Sequence, residues 1–353
     1  MQKLGPWAQP NTAPSRSKTT AHAATSSVVA LPTRPRRTLR AAKPQLFKLS
    51  TQAFLTGEEV AREELVALVK LAADLKQHRK LYRAQALLPA RQLGLLFEKP
   101  SLRTRVSFTV AINELGGQAI EITSSNTKKE LPQDQMRVLN GYLDGLMVRT
   151  FDHSILETMG QHAKIPLING LSDQHHPCQA LADVLTILEK WAGNPQPQVA
   201  YVGDGNNILH SLLLVAPAFG INVTYACPEG FDPDPAILAR AKARAQEWGT
   251  SIEGFRRPVD AVIGAHAVYT DVWTSMGFEE ENEKRLKAFE GFKVSEDLLT
   301  AARPGAIAMH CLPMVRDLEI SGSLADSKAS ALWEQSENRL HVQKALLLSM
   351  MND

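Results

Sequence analysis

From Leu93 to the C-terminus, short apolar runs alternate with amphipathic stretches of helix length. The apolar runs predict strands, because their length suits parallel strands that are buried on both faces. The predicted strands are 93–97, 119–122, 145–148 and 166–168, followed by 199–202, 222–227, 267–270 and 306–310. The predicted helices are 101–115, 134–143, 153–163, 177–191 and roughly 334–351. This alternation predicts an α/β fold with parallel sheets that are flanked by helices.

A length of 353 residues exceeds one typical domain, so two domains of ~150 residues each are expected. A linker with Pro, Asn and Gly at 193–198 separates the two series of strands. We therefore predict an N-terminal tail, two α/β domains and a final helical segment. Their predicted ranges are 1–45, 46–192, 193–333 and 334–353.

Composition excludes several classes of function. Hydrophobic residues make up 44% of the chain, but no apolar run approaches the ~20 residues of a membrane span. Residues 1–57 contain nine Lys or Arg and no acidic residue, which leaves 30 basic against 37 acidic side chains in the remainder. This mildly acidic body argues against nucleic-acid binding. The three cysteines show no metal-finger spacing and no disulfide framework, which favours reduced thiols.

The tail at 1–45 is rich in Ala, Ser, Thr, Pro and Arg and has no periodicity, which predicts disorder. An acid-free segment rich in Arg and Ser is also typical of an organellar transit peptide. The stretch 36–42 looks like the end of a plastid presequence, and mitochondrial import stays open. The alternative is a plain extension or an over-long gene start, for which a cytoplasmic location is expected.

The first chemical motif, residues 97–105, lies where a predicted strand gives way to a helix. Pro100 suits the turn into the helix, and Ser101 is a good N-cap. The free N–H groups and partial positive charge of a helix start form an anion site. Arg103 adds a bidentate fork and Thr104 adds a hydroxyl. Alternatively, the arginines of this motif are surface charges on an exposed helix.

The second motif, residues 175–179, again joins a predicted strand to a helix. The neutral imidazole of His176 and the carboxamide of Gln179 can both address a carbonyl oxygen or an NH₂ group. The alternative is that His176 caps the helix while Gln179 is solvated.

Two further motifs, 271–277 and 309–313, each follow an apolar strand. Ligands bind at the carboxyl ends of strands in open parallel sheets. Asp271 therefore offers a carboxylate to a substrate ammonium. Taken alone, Cys311 is more simply a small buried hydrophobe, and Met276 is more simply core filling.

Residues 203–207 resemble the opening of a dinucleotide fingerprint, G-x-G-x-x-G. Ile208 stands where the third glycine belongs, so a nicotinamide site is weakly supported. A nicotinamide-dependent dehydrogenase is nevertheless the alternative from a different class of enzyme.

The four motifs occur in the order S-x-R-T-R, H-P-C-Q, D-x-x-x-S-M-G and H-C-L-P. Together they resemble the carbamoyltransferase family, from about residue 46 to the C-terminus. The last three motifs look like the ornithine-using members, because the aspartate-using relatives lack S-M-G and the Cys of H-C-L-P. The resemblance implies transfer of the carbamoyl group of carbamoyl phosphate to the side-chain amine of L-ornithine, a step of arginine biosynthesis of the urea-cycle type. It implies no cofactor and no metal.

The resemblance also implies what each domain binds. Domain 46–192 is expected to bind carbamoyl phosphate and domain 193–333 to bind ornithine, while segment 334–353 returns to the first domain. A homotrimer is implied. Two alternatives stay open: transfer to another amine, such as putrescine or an acylated ornithine, and a catalytically silent paralogue that acts as a regulatory subunit.

Site residues follow from the resemblance by position. Those implied to bind carbamoyl phosphate are Ser101, Leu102, Arg103, Thr104, Arg149, His176, Pro177, Cys178, Gln179, Cys311, Leu312 and Arg339. Those implied to bind ornithine are Asn169, Asp271, Ser275 and Met276. Among them, Arg149, His176 and Cys311 are the implied catalytic residues.

The sequence departs from the family pattern in three places. Leu102 stands where many relatives have Thr, and it would act through its backbone N–H. No Gln occurs in register near Ser125, where relatives often use one to contact carbamoyl phosphate. Lys128 and Lys129 are candidates to replace it in part, in the site of a neighbouring subunit. The stretch 314–317 after H-C-L-P also differs from the expected form.

Overall fold

The computed structural model describes residues 43–123, 130–191, 193, 196–274 and 282–352. Within these ranges the chain forms two parallel sheets of five strands each, with helices between successive strands. The predicted α/β class with two parallel sheets is confirmed. No helix in the described ranges is both long enough and apolar enough to cross a bilayer.

The first sheet is built from the N-terminal half of the described chain. Its strands are β1 (Ala53–Phe54), β2 (Gln92–Phe97), β3 (Gln118–Thr123), β4 (Gly145–Arg149) and β5 (Leu167–Leu171). They lie in the order β1-β5-β4-β2-β3, and every neighbouring pair is parallel. The inner strands β2 and β4 are almost entirely buried, which explains their unbroken apolar runs. The two-residue strand β1 is too short to show an alternation or a run of apolar residues, so it was not predicted from the sequence.

The second sheet repeats this architecture in the C-terminal half. Its strands are β6 (Gln198–Val202), β7 (Asn222–Ala226), β8 (Ile252–Phe255), β9 (Ala267–Thr270) and β10 (Ile307–His310). Their order is β10-β9-β6-β7-β8, again with parallel neighbours. Strand β8 was not predicted, because it lies at the sheet edge with largely exposed side chains and has no apolar run.

Helices connect the strands and cover the sheets. They are α1 (Arg62–Gln77), α2 (Arg79–Arg83), α3 (Leu102–Glu114), α4 (Pro132–Leu139), α5 (His153–His162), α6 (Pro177–Lys190), α7 (Asn207–Val215), α8 (Pro235–Glu247), α9 (Pro258–Val262), α10 (Asn282–Ala288), α11 (Glu296–Thr300), α12 (Gly322–Ala325) and α13 (Leu332–Met351). Three of the predicted helices, now α3, α5 and α6, are confirmed to within one residue at each end. Helix α4 begins two residues earlier than predicted, because Pro132 occupies its first turn. It also ends four residues earlier than predicted.

Helix α13 packs against α1, α3 and α6. A buried ion pair fixes this contact: Lys344 Nζ donates to Glu114 Oε2 of α3 at 2.9 Å. Arg79 Nη2 donates to the other oxygen of the same carboxylate at 2.6 Å. The Lys344 side chain is fully buried, and an ammonium buried without such a partner is strongly destabilising.

The two sheets share apolar packing around α6 and α7. One cluster of buried side chains contains Leu95 of β2, Leu185 of α6, Leu212 of α7 and Tyr201 of β6. This packing places the carboxyl ends of strands from both sheets around one cavity.

Candidate active site

The cavity between the two sheets has a volume of about 800 Å³. Most of its lining residues lie just after strands β2, β4, β5, β6, β9 and β10, at their carboxyl ends, where open parallel sheets bind ligands. From the first half of the chain the lining includes Lys99, Pro100, Ser101, Leu102, Arg103, Arg149, Phe151, Leu171, Ser172, Asp173, His176 and Gln179. From the second half it includes Asp204, Gly205, Asn206, Asn207, Ile208, His210, Asp271, Val272, Thr274, Arg285, Cys311, Leu312, Pro313, Val315 and Arg339.

One end of the cavity is a helix N-terminus. Ser101 is the N-cap of α3, and its Oγ accepts a hydrogen bond from Thr104 N at 3.3 Å. Leu102 is 74% exposed, so its side chain adds little to packing within this chain. The remaining N–H groups of this first turn carry the positive end of the helix dipole, which favours an anion.

Three guanidinium groups from different elements line this end. Arg103 lies in the first turn of α3, Arg149 ends β4, and Arg339 lies in the middle of α13. Arg149 Nη1 and Arg339 Nη2 both donate to Thr104 Oγ1, at 3.4 and 2.9 Å. The Thr104 hydroxyl is therefore already engaged in holding two arginines in place.

Several donors at this end lack partners within the described residues. The Nε atoms of Arg149 and Arg339 are buried without a hydrogen bond, and so is Nδ1 of His176, which is a donor in one of the two neutral tautomers. A buried donor without an acceptor costs free energy, so this set of atoms suits a bound anion that accepts hydrogen bonds.

The electrostatics agree with an anion site. Burial and the neighbouring charges of Arg339 and Arg103 lower the pKa of Arg149 to about 10. Burial, reinforced by Arg339 and Arg149, holds the pKa of His176 well below its usual range, so the imidazole is neutral at pH 7. An anion with two negative charges would relieve the mutual repulsion of these arginines.

The other end of the cavity contains a carboxylate with two donors on it. Cys311 Sγ donates to Asp271 Oδ1 at 2.7 Å, and Asn206 Nδ2 donates to Asp271 Oδ2 at 2.9 Å. Burial, followed by the charge of Asp271, raises the pKa of the Cys311 thiol well above its usual range. The thiol is therefore protonated at neutral pH and acts as a donor rather than as a nucleophile.

Comparison with family models covers almost all of the described chain. Residues 52–189 match the aspartate/ornithine carbamoyltransferase, carbamoyl-P binding domain, and residues 196–350 match the Asp/Orn binding domain of the same family. The chain belongs to the aspartate/ornithine carbamoyltransferase family. The arginine end of the cavity, apart from Arg339, falls within the first matched range, and Asp271 and Cys311 fall within the second.

Individual relatives support the same family assignment. An ornithine carbamoyltransferase of Symbiobacterium thermophilum is 44% identical over 306 residues, which cover 86% of this chain and 99% of the relative. An anabolic ornithine carbamoyltransferase of Pyrococcus furiosus is 42% identical over 309 residues, covering 87% of this chain and 98% of the relative. The solved structure of ornithine carbamoyltransferase from Pyrococcus furiosus matches with a TM-score of 0.81 at 41% identity, covering 88% of this chain and all of that chain.

For this carbamoyltransferase, most residues predicted from the motifs line the cavity, but four of the described ones do not: Thr104, Asn169, Pro177 and Cys178. Asn169 is fully buried, and its Nδ2 donates to Leu55 O at 2.8 Å and to His175 O at 3.3 Å. The Cys178 thiol is buried and donates to Asn169 O at 3.4 Å. Pro177 is the first residue of α6. Their substrate contacts stay predictions, and Ser275, Met276, Lys128 and Lys129 lie outside the described residues.

Two asparagines at the cavity were not predicted from the sequence. Asn206 caps α7 and contacts Asp271, and Asn207 also lines the cavity while its Nδ2 donates to Ser172 O at 2.6 Å. Their position after β6 was the available signal, since the same argument had selected Asp271. Gly205 in this turn has a packing explanation, because a Cβ there would lie 2.3 Å from the backbone of Asp232.

A buried ion pair supports the loop after β9. Arg285 of α10 donates to Asp204 Oδ2 at 2.6 Å and to Trp273 O at 3.0 Å. Asp204 is largely buried, and its position at the end of β6 links α10 to the cavity wall. The pair therefore ties the described start of the 271–277 motif to the second sheet.

The side chains of Asp271, His310 and Cys311 place potential metal ligands within 4.8 Å of one another. Each of these groups already has a protein partner. His310 Nε2 lies 3.1 Å from Glu319 Oε1, and His310 Nδ1 accepts from Leu312 N at 2.8 Å. The cluster is therefore explained by hydrogen bonds that shape the end of β10.

Proposed function

We propose that this carbamoyltransferase transfers the carbamoyl group of carbamoyl phosphate to the side-chain amine of L-ornithine, giving L-citrulline and phosphate, as a step of arginine biosynthesis. The observation that carries the proposal is the division of one cavity into an arginine end and a carboxylate end. The first suits a phosphate, and the second suits the ammonium of an amino acid. Relatives that are named ornithine carbamoyltransferase, including an anabolic one, support the choice of ornithine.

The phosphate is proposed to bind at the start of α3. Ser101 and the backbone N–H groups of Leu102 and Arg103 would hold its oxygens, together with the Arg103 guanidinium. Arg103 makes no side-chain hydrogen bond within the described residues, so its fork is available. The unpartnered Nε atoms of Arg149 and Arg339 supply further donors.

The carbamoyl group is proposed to lie beside α6. The neutral His176 imidazole and the Arg149 guanidinium are the candidates that donate to the carbonyl oxygen. Gln179 Oε1 faces Arg339 at 3.0 Å and is placed to accept from the carbamoyl NH₂. Preorganised donors of this kind contribute ~3–4 kcal/mol each to transition-state stabilisation.

Ornithine is proposed to bind at the other end. Asp271 would pair with the α-ammonium, and Asn207 is the candidate donor to the α-carboxylate. Ser275 and Met276 remain proposed contacts from the resemblance, as does Asn169. Cys311 would lie beside the reacting amine.

The reaction requires the amine in its neutral form, although an alkyl ammonium has a pKa near ~10.4 in water. The cationic groups at the arginine end disfavour another positive charge and so lower that pKa. The amine nitrogen then attacks the carbonyl carbon, and a C–N bond forms as negative charge develops on the carbonyl oxygen. The C–O bond to phosphate breaks, and phosphate leaves with the bonding electrons and takes up the proton that the nitrogen loses.

The matched ranges support the proposed assignment of 46–192 to carbamoyl phosphate and of 193–333 to ornithine. The packing of α13 against α1, α3 and α6 supports the proposed return of 334–353 to the first domain. Closure of the two domains, with 271–277 as a lid, would exclude water and protect the labile phosphate.

Assembly as a homotrimer is part of the proposal. Large apolar side chains are exposed on β3, α3 and α4 and in nearby loops of the first half of the chain, and exposed apolar surface of this kind favours burial against another subunit. They are Leu102, Val106, Ile120, Leu131, Val138, Tyr142 and Phe151. A solution mass near three times 38.8 kDa supports the trimer, whereas a monomeric mass contradicts it.

The tail at 1–45 is proposed as a transit peptide, with the plastid preferred over the mitochondrion. Its acid-free, Arg-rich composition supports this proposal. Fusion of 1–45 to a fluorescent protein tests it, because a cytoplasmic signal would contradict organellar import.

The enzymatic proposal is tested by measuring citrulline and phosphate together. Carbamoyl phosphate and ornithine should give the two products in equal amounts, at a rate proportional to the protein. Phosphate release that does not depend on ornithine would contradict the proposal.

A further inference from the structure

Asp183 is a charged residue type in the middle of the apolar helix α6. It is fully buried, and it lies one helical turn after Gln179, with neighbours in the helix that are also buried. Aspartate is almost never fully buried unless it is paired, so this position requires partners.

Both partners are glutamine side chains. Asp183 Oδ1 accepts from Gln179 Nε2 at 2.8 Å and from Gln335 Nε2 of α13 at 2.7 Å. An ionised carboxylate only accepts hydrogen bonds, so each glutamine must turn its NH₂ towards Asp183 and its oxygen away. One oxygen atom thereby determines the orientation of two amide groups.

The two glutamine oxygens then act in different places. Gln179 Oε1 accepts from Arg339 Nη1 at 3.0 Å at the arginine end of the cavity. Gln335 Oε1 accepts from the backbone N–H of His310 at 2.8 Å, directly before Cys311. Since β10 belongs to the second sheet, this hydrogen bond ties α13 to the strand end that presents Cys311.

We infer that Asp183 is a positioning residue of the transfer reaction. It acts through Gln179 and Gln335, which hold the carbamoyl phosphate site and the end of β10 in their relative places. The inference rests on the proposed function for the reaction that is measured. Asp183 does not line the cavity, so it acts without touching substrate.

The ionised form of Asp183 is the form that the inference requires. Burial raises the pKa of Asp183 to about 7, while the hydrogen bonds from Gln179 and Gln335 act in the opposite direction. Above that pH the carboxylate accepts from both amides. Below it the protonated carboxyl becomes a donor, and its orienting effect on the glutamines weakens.

Charged and titratable groups approach Asp183 from three elements. Arg339 on α13 lowers its pKa. Tyr269 of β9 also lies near Asp183, and burial raises the pKa of its hydroxyl well above the usual range, so it stays neutral. Cys311, at the end of β10, is kept as a neutral thiol by burial and by Asp271. Among these groups, Asp183 is therefore the one expected to change charge near pH 7.

Asp183→Asn tests the inference, because asparagine has the shape of a protonated aspartate and cannot ionise. We compare the full chain with this variant, measuring kcat/KM for carbamoyl phosphate at saturating ornithine from pH 6 to pH 9. The ratio of the two proteins cancels the ionisation of the substrates. The kcat/KM of the variant should be at least ~10-fold below that of the parent protein at pH 9 and within about twofold of it at pH 6.

Asp260→Asn is the matched control, since Asp260 lies on α9 and pairs only loosely with Arg257 at 3.6 Å. Its ratio to the parent protein should stay near one at every pH. A flat ratio for Asp183→Asn, whether near one or uniformly low, overturns the inference, because a structural role alone does not follow the ionisation of Asp183. A parent protein that is inactive with ornithine overturns the proposed function instead, and this inference falls with it.

Gln335→Met separates the effect of Asp183 through Gln335 from its effect through Gln179. It removes the hydrogen bond to His310 N and leaves the Asp183–Gln179 pair in place. The KM for carbamoyl phosphate should stay within about twofold, while kcat/KM for ornithine falls ~10-fold, and the effect should not add to that of Asp183→Asn. Equal losses for both substrates, with full additivity, contradict the arrangement.

Discussion

Replacing Arg149 with Met should abolish phosphate binding and yet leave the unliganded protein at least as stable as the parent. Burial and two neighbouring arginines lower the pKa of Arg149 from 12.5 to about 10. At ~1.36 kcal/mol per pKa unit, the charged side chain costs the folded state up to about 3 kcal/mol. Because the pKa is lowered, this cost is fully present below pH 10 and disappears only above pH 12.5.

The substitution removes little that stabilises the fold. The only hydrogen bond from the Arg149 guanidinium within the described residues is the long one to Thr104 Oγ1, at 3.4 Å. Methionine keeps most of the apolar stem that packs at the end of β4. The net expectation is a gain of ~1–3 kcal/mol, which corresponds to an increase in Tm of about 1–4 °C for a chain of this size.

Thermal unfolding with and without inorganic phosphate measures both effects. The parent protein should gain ~2.7 kcal/mol of stability at a phosphate concentration of 100 times Kd, whereas Arg149→Met should gain almost none. Arg137→Met on α4 is the matched control, because 60% of its side chain is exposed and it should respond to phosphate as the parent does. A Tm that falls by more than 2 °C in unliganded Arg149→Met, or equal stabilisation of both proteins by phosphate, would refute this reasoning.

Three other predictions concern the carboxylate end and the buried ion pairs. Asp271→Asn should lower kcat/KM for ornithine ~100-fold and change the affinity for carbamoyl phosphate less than twofold, as measured by varying each substrate in turn; equal losses would contradict the assignment. Arg285→Met leaves Asp204 buried without its partner, so thermal unfolding should show a loss of ~3 kcal/mol, and an unchanged Tm would argue against the pair. Lys344→Met should cost ~3–5 kcal/mol in denaturant unfolding. The partner carboxylate of Glu114 has its pKa lowered to about 2, so its stabilising contribution is present above pH 4.5 and lost as the pH falls towards 2; stability that does not change over this range would contradict it.

The fold was predicted best where a single strand or helix has a recognisable local pattern of residues. Strands β2 and β4 are unbroken apolar runs because both faces are covered, and α6 begins at Pro177 as expected. Strands β1 and β8 have no such pattern, since one is two residues long and the other is a polar edge. Their pairing depends on neighbours that are distant in the sequence.

The candidate site was predictable where strand ends and motifs coincide. Arg103, Arg149 and Arg339 come from three separate elements, and their convergence was available only through the family resemblance. Asn206 was missed because its segment was compared with a dinucleotide fingerprint rather than judged by its place after β6. The buried partners of Asn169 were not predictable either, because Leu55 O lies 114 residues away in the sequence.

The role of Asp183 could not be predicted from the sequence either. Nothing in the local pattern of α6 distinguishes it from an exposed helix residue, and Gln335 lies 152 residues further along the chain. Only the packing of α13 against α6 brings the two side chains together. Networks of this kind emerge from tertiary structure and leave no local signal.

The most direct test of the proposed function is the comparison of four acceptors with carbamoyl phosphate: ornithine, putrescine, N-acetylornithine and aspartate. N-acetylornithine lacks the α-ammonium that is assigned to Asp271. Putrescine keeps that ammonium but lacks the α-carboxylate that is assigned to Asn207. We predict that kcat/KM for ornithine exceeds each of the others by at least ~100-fold, about 2.7 kcal/mol in transition-state binding. A preference for any of the other three would contradict the assignment of the carboxylate end, and no turnover with any acceptor would contradict the proposed enzyme altogether.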